Sequence, residues 1–513
     1  LKSCSSSYET RFVMPLDKPS PFGVAFREDE RGERSSTRYG KSVLAHAIGE
    51  VDAELASRIK SETNWRNRYP NYFVEVAEHT IAAGSLDVEL MVARRGLCKS
   101  YDLAEFLCED GVAVPFSEVS SCRRKTAGFA TGSVCGVQNA ATLMAEVPYK
   151  DRKLTGDALA SQFDQWVNEH KMEPNCAEGA KATLSNPPWQ DLSGHTFVVL
   201  GAGSELGPFE YLLHAGATVL ALATRRPERW QVHISLARGA RGKLVFPVSS
   251  EVLDGSDDVS LAGSAGCDIC NDLPEVIAWI RAELKGLIGP VTVGTYLYGD
   301  GELNTRITLA SDAIIQAVTE LPLANKASFA WIASAAIAAA LPDRAYRASK
   351  QLLPKAPWWL RILRPQLNHT RMAVKNGVRI YDGYLLKHGP NYALAQQLRA
   401  WRCMDLRARG HVVSMNIAPG CRTASVMKSA AFTKALDGYA HVAPLEAFDA
   451  ATVKAVMFLL LLVDLQRESQ HQPNCSLTAL SDQAFHAGQW TCPYSLQAIL
   501  TPLFLLGSVR ARL

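Results

Sequence analysis

Apolar residues along the chain change their spacing near residue 190. Before that point the pattern is mixed. Val43, Ile48, Val51, Leu55 and Ile59 recur at helical intervals and predict helix within residues 41–65. Denser apolar runs at 73–81 and 88–92 read as strand or other buried segments, 102–108 as a short helix, and the Gly/Ala-rich stretch 128–140 as loop. Residues 155–170 predict a helix with Leu159, Phe163, Trp166 and Val167 on one face. Asn186, Pro187, Pro188 and Trp189 then punctuate the chain and mark a boundary.

Beyond the boundary, short apolar runs alternate with helical patterns. Strands are predicted at 196–200, 219–223, 243–247, 291–298, 328–334 and 412–417. Helices are predicted after Pro208 and at 274–284, 310–321 and 392–408. Continuous apolar runs fit parallel strands covered on both faces, and this alternation implies an open, doubly wound α/β sheet. An α+β amino-terminal extension precedes it. The expected divisions are a polar arm over 1–40, an α+β region over 41–190, the sheet domain over 191–425 with 351–391 as an insertion, and helices over 426–513 completing it.

Composition narrows the classes of partner. A net charge of +3 gives no electrostatic case for nucleic acid, and the one local basic stretch surrounds Arg361, Arg364, Arg371 and Lys375. No run of about 18 apolar residues occurs, so no transmembrane segment is expected. The 12 cysteines are irregularly spaced and read as reduced thiols. Cys267 and Cys270 form a single CxxC without the second pair that a four-thiolate zinc site needs, so no metal is expected. The chain begins Leu1, Lys2, Ser3, Cys4, which raises the expectation of a trimmed targeting peptide and an organellar location, chloroplast or mitochondrion, with the cytoplasm as the alternative.

Candidate chemistry begins at Gly201-Ala202-Gly203-Ser204-Glu205-Leu206-Gly207, a glycine-rich turn between the first strand of the alternating region and its helix. Backbone N–H groups in such a turn can face a diphosphate, whereas the Glu205 carboxylate would compete with one. Ser334 closes a strand, and twelve residues on comes Tyr346-Arg347-Ala348-Ser349-Lys350, a Tyr-x-x-x-Lys spacing. Pro354 and Pro357 follow closely enough to break the helix that would carry it. A second tyrosine, Tyr392, opens the helix that leads into Asn416-Ile417-Ala418-Pro419-Gly420, but the residue four after it is Gln396.

Together these segments resemble the short-chain dehydrogenase/reductase superfamily over roughly half the chain. Leu200, Gly201, Glu205 and Gly207 occupy the slots of that family's Thr-Gly-x-x-x-Gly-x-Gly turn, so the Thr and the middle Gly are replaced. The resemblance implies a Rossmann-type domain and a dinucleotide held by Gly201, Ala202, Gly203, Ser204, Leu206 and Gly207. Asp268 and Ile269 would lie at the adenine, Tyr298 and Gly299 beside the ribose, and Pro419 and Gly420 at the nicotinamide. Arg225 and Arg226 end the second strand where NAD enzymes place an acid, which favours the 2′-phosphate of NADP.

For catalysis the resemblance implies Ser334, Tyr346 and Lys350, with Tyr392 as the rival for the tyrosine's place. The Tyr hydroxyl would protonate a substrate oxygen, helped by an adjacent cation. The implied function is an NADP(H)-dependent oxidoreductase acting on a carbonyl or alcohol. The alternative is a catalytically impaired structural or regulatory subunit of a larger assembly. About 190 residues precede the alternating region and about 90 follow it, leaving the arm and the apolar carboxy-terminal end (Ile499 to Leu506, then Arg510 and Arg512) to meet protein partners.

Overall fold

A computed structural model describes residues 22–122, 128–137, 145–249, 257–323, 326–334, 337–356, 358, 360, 370–372, 379–381, 388–466 and 476–510. Residues 1–21 of the expected arm lie outside the described residues, as do most of 361–387 within the expected insertion, including Arg361, Arg364 and Lys375. The protein is α/β, with a mostly parallel seven-stranded sheet flanked by helices. Its strands are β1 (Ala130–Cys135), β2 (Thr196–Leu200), β3 (Thr218–Leu222), β4 (Lys243–Val248), β5 (Val291–Thr295), β6 (Ser328–Ser334) and β7 (Val413–Ala418).

The spatial order is β7-β6-β5-β2-β3-β4-β1. From β2 the chain winds outward through β3 and β4, then returns past β2 to build β5, β6 and β7 on the other side. The direction of winding therefore reverses between β2 and β5, which pair in parallel from Thr196 opposite Val291 to Leu200 opposite Thr295. All five residues of β2 are buried. Val198 and Leu200 join one core cluster while Phe197 and Val199 join another, the two-residue period of a sheet covered on both faces.

The amino-terminal region departs from its expected elements. The runs at 73–81 and 88–92 belong to helices: α1 (Ser36–Ile48), α2 (Ala53–Ser61), α3 (Trp65–Ala82) and α4 (Leu86–Asp102) form a layer of four. Tertiary burial explains the misreading, because α3 buries residues around most of its circumference and its apolar positions lose helical spacing. The expected short helix at 102–108 contains the strand Ala104–Leu107 instead. The expected loop at 128–140 contains β1, which runs antiparallel to β4 and makes the edge of the main sheet.

This layer packs on α6 (Pro390–Ala408), which together with α5 (Glu302–Thr319) covers one face of the sheet. A Cβ on Gly96 of α4 would lie 2.1 Å from the Trp401 ring of α6, so only glycine lets the two helices approach this closely. Beside that contact, Arg402 forks onto Asp312 at 2.7 and 2.8 Å, Tyr101 donates its hydroxyl to Asp312 at 2.8 Å, and Arg94 donates to Asp405 at 2.8 Å. The amino-terminal helices and the sheet thus share one continuous core.

On the opposite face α7 (Ala450–Gln466), apolar all round, is buried against β7. Asp464 accepts hydrogen bonds there from Ser414 at 2.8 Å and Asn416 at 2.7 Å. The carboxy-terminal helix α8 (Leu496–Arg510) packs on residues 430–438, with Ile499 and Leu503 fully buried. Among the described residues no helix is long and apolar enough to cross a membrane.

Candidate functional site

The carboxyl ends of β2, β5, β6 and β7 open into a cavity of about 540 Å³. It sits where the winding direction reverses, the place where open parallel sheets leave a crevice. Thr295 and Ser334 reach it as the last residues of β5 and β6, and Pro419 and Gly420 follow β7 into it. Tyr298 and Gly299 line it from the loop after β5, and Ser204, Glu205 and Leu206 from the glycine turn. Its apolar side is built by Val426, Phe432, Leu436 and Leu500.

Helix α6 brings Tyr392, Gln396 and Arg399 to the same cavity. The chain enters α6 through Gly389, at φ +87°, whose N–H donates to the Tyr69 hydroxyl of α3 at 2.9 Å. Tyr392 hydrogen-bonds with Ser334 and Gln396, and the ring of His388 stacks on it at 4.7 Å. Burial pushes the Tyr392 phenol up from its ordinary value. The Ser334 bond, the Arg399 charge and the Gln396 bond act in the opposite direction.

Four residues that line this cavity each carry a buried polar atom with no partner among the described residues: Thr295 Oγ1, Asn304 Nδ2, Gln396 Oε1 and Arg399 Nε. Arg66 of α3 also lines the cavity, which makes the amino-terminal layer part of its wall.

The other proposed catalytic pair is placed elsewhere. Tyr346 and Lys350 ride on a ten-residue helix, Asp343–Leu352, that ends before Pro354, and neither lines the cavity. The Tyr346 ring is covered by the Arg379 guanidinium at 3.6 Å, with the Lys350 ammonium 5.3 Å from its centre. The structure brings Ser334 together with Tyr392.

The glycine turn is folded tightly on itself. Gly201 has φ +97°, and a Cβ there would come within 2.9 Å of Leu297. The Gly201 and Ala202 amides donate to the Leu222 carbonyl at 2.9 and 3.2 Å, Ser204 donates to Gly201 at 2.9 Å and Gly207 to Ser204 at 3.1 Å. The helix that follows, Phe209–His214, has six residues. Glu205 turns its carboxylate across the mouth and accepts the Ala424 N–H at 2.8 Å.

After β3, Arg225 is held by Asp272 at 2.7 Å and lies over the Phe129 ring. Arg226 is the N-cap residue of Pro227–Gly239, a half-buried position. Arg229, missed in the sequence, brings its guanidinium within 3.4 Å of where a Cβ on Gly203 would sit. Its spacing of three from Arg226, at the start of one helix, was the available signal. Asp268 accepts from the Cys270 and Asn271 amides at 2.8 and 3.2 Å, and Ile269 is buried in the core; neither lines the cavity. Cys267 and Cys270 are buried thiols that desolvation pushes above their ordinary range, and among the described residues no cluster suited to a metal forms. Searches against protein-family models and against curated proteins return no match to this chain.

Proposed function

We propose that the chain is an NADP(H)-dependent oxidoreductase of the short-chain dehydrogenase/reductase type, acting on a carbonyl or alcohol. The observation that carries this reading is the meeting of Ser334 and Tyr392 in a cavity at the reversal point of the sheet. The strand order supports a Rossmann-type domain.

The residues fit a dinucleotide. Thr295 and Asn304 border the cavity with polar side chains, and Arg229, three residues after Arg226, stands beside Gly203 of the glycine turn for a phosphate. When bound, the dinucleotide supplies or accepts the hydride. In reduction the Tyr392 hydroxyl gives its proton to the substrate oxygen as the carbonyl becomes an alcohol, and Ser334 orients that oxygen. The apolar wall at Val426, Phe432 and Leu436 holds the remainder of the substrate and excludes water.

The test is NADPH oxidation against a panel of aldehydes and ketones, with mass spectrometry of any nucleotide that co-purifies. Tyr392→Phe should remove turnover and keep nucleotide binding, whereas Tyr346→Phe should leave both. Turnover that survives Tyr392→Phe, or depends on Tyr346, overturns the assignment. One observation favours a second reading, a structural or regulatory subunit: the Glu205 carboxylate stands at the mouth where a diphosphate would lie. That reading expects no nucleotide, no turnover and a native mass above that of one chain.

A further inference from the structure

Tyr392, Gln396 and Arg399 stand four and three residues apart along α6, so one face of the helix presents all three to the cavity. The residue one turn from the phenol, Gln396, is neutral. The next one along is not. Arg399 is buried, and its guanidinium donates to the Leu297 carbonyl at 2.8 Å and the Thr308 hydroxyl at 3.2 Å. Its Nε–H has no acceptor among the described residues.

We propose that Arg399 is the charge-supplying positioning residue of the site, favouring the phenolate of Tyr392 from two helical turns along the same face. The inference rests on the reading of Tyr392 as proton donor. A buried phenol gives up a proton readily only where a fixed positive charge offsets the loss of water around its oxyanion. Arg399 provides such a charge: burial pulls its guanidinium down only to about 10, so it stays protonated at neutral pH. Two fixed acceptors hold it, so it cannot swing out to solvent.

The other groups facing the phenol do not replace it. Ser334 and Gln396 are neutral donors, Tyr298 opposes ionisation, and His388 stacks its ring on that of Tyr392. Arg66, Glu205 and Asp300 line the wider cavity, where one cation and two acids leave a net negative charge that opposes the phenolate and does not supply the missing cation. The neutral residue at 396 is therefore compatible with a working proton donor, because the cation has moved one turn along the helix.

The experiment reads the phenol directly. A fluorotyrosine placed at position 392 of the full chain is titrated by fluorine NMR, with near-ultraviolet circular dichroism as the check of folding. Arg399→Gln should raise the midpoint by about one pH unit or more, a tenfold change in the acid constant. Arg399→Lys should return it most of the way. The double variant Gln396→Lys with Arg399→Gln sets an ammonium at the nearer turn and keeps the question open to refutation if the single glutamine variant does not fold. Its midpoint should match that of the unsubstituted chain or lie below it. A midpoint unmoved by Arg399→Gln, or one standing a full unit above the native value in the double variant, overturns the proposal. Neither cofactor nor turnover enters this measurement. A chain with these shifts that reduces no carbonyl therefore refutes the proposed function and keeps the electrostatic role of Arg399.

Discussion

Glu205 Oε2 accepts a hydrogen bond from the backbone N–H of Ala424 at 2.8 Å, tying the glycine turn after β2 to the loop after β7. Both segments border the cavity, so the bond fixes a negative charge on its wall. A nucleotide diphosphate lying there would be repelled.

Glu205→Gln keeps an oxygen acceptor for Ala424 and removes the charge. Relief of a like-charge repulsion at a partly exposed site is worth about 1 kcal/mol, which is roughly fivefold in affinity. Titrating NADPH against intrinsic tryptophan fluorescence should show that gain in the variant. Equal or weaker binding would mean that Glu205 does not oppose the nucleotide.

Arg225 and Arg226 are neighbours in sequence but not equivalent. Arg225 is engaged by Asp272, whereas Arg226 caps the next helix, three residues before Arg229 at the glycine turn. Arg226→Ala should therefore lose about tenfold in NADPH affinity, the scale of one charge-assisted hydrogen bond, with NADH nearly unchanged. Arg225→Ala should lose less, and Asp272→Asn, which releases Arg225, should strengthen NADPH alone. The idea is wrong if Arg225→Ala is the more damaging of the two, or if NADH responds as NADPH does.

The parallel strands of the sheet were legible because burial on both faces leaves a nearly unbroken apolar run, as in Thr196–Leu200 and Thr218–Leu222. β1 was not, since Ala-Thr-Gly-Ser-Val-Cys carries little strand signal and is held by its antiparallel pairing with β4. Ser334 and Tyr392 could be proposed from motif spacing. Their meeting with Thr295, Asn304 and Arg66 could not, because those residues come from separate strands and helices that only the folded chain assembles.

The buried network behind α6 offers a stability test. Asp312, largely buried, takes both prongs of Arg402 and the Tyr101 hydroxyl. Asp312→Ala leaves the Arg402 charge facing only Asp405, at 3.1 Å, and should cost about 3–5 kcal/mol in urea unfolding. Replacing the pair together, Asp312→Leu with Arg402→Met, should recover much of that loss, because it also removes the unpaired charge. A single-variant cost under about 1 kcal/mol would show that water reaches Arg402.

His233 fixes how stability depends on pH. It is buried between Phe209 and Trp230, neither ring nitrogen has a partner among the described residues, and burial pulls the imidazole down to about 4, with the Arg229 charge adding to the shift. An unfolded histidine titrates near 6.5, so between about pH 6.5 and 4 the unfolded chain binds a proton that the folded chain refuses. Stability contributed by this residue is therefore complete above that window and falls as the pH is lowered through it. The loss amounts to about 2 kcal/mol at pH 5. His195, pulled down to about 4 by burial, adds a second contribution of the same sign. His233→Leu keeps an apolar filling and removes the titration. Its urea midpoint should fall less between pH 7.5 and pH 5 than that of the unsubstituted chain. Parallel falls in the two proteins would mean that the imidazole finds a proton acceptor in the folded state and is not held neutral.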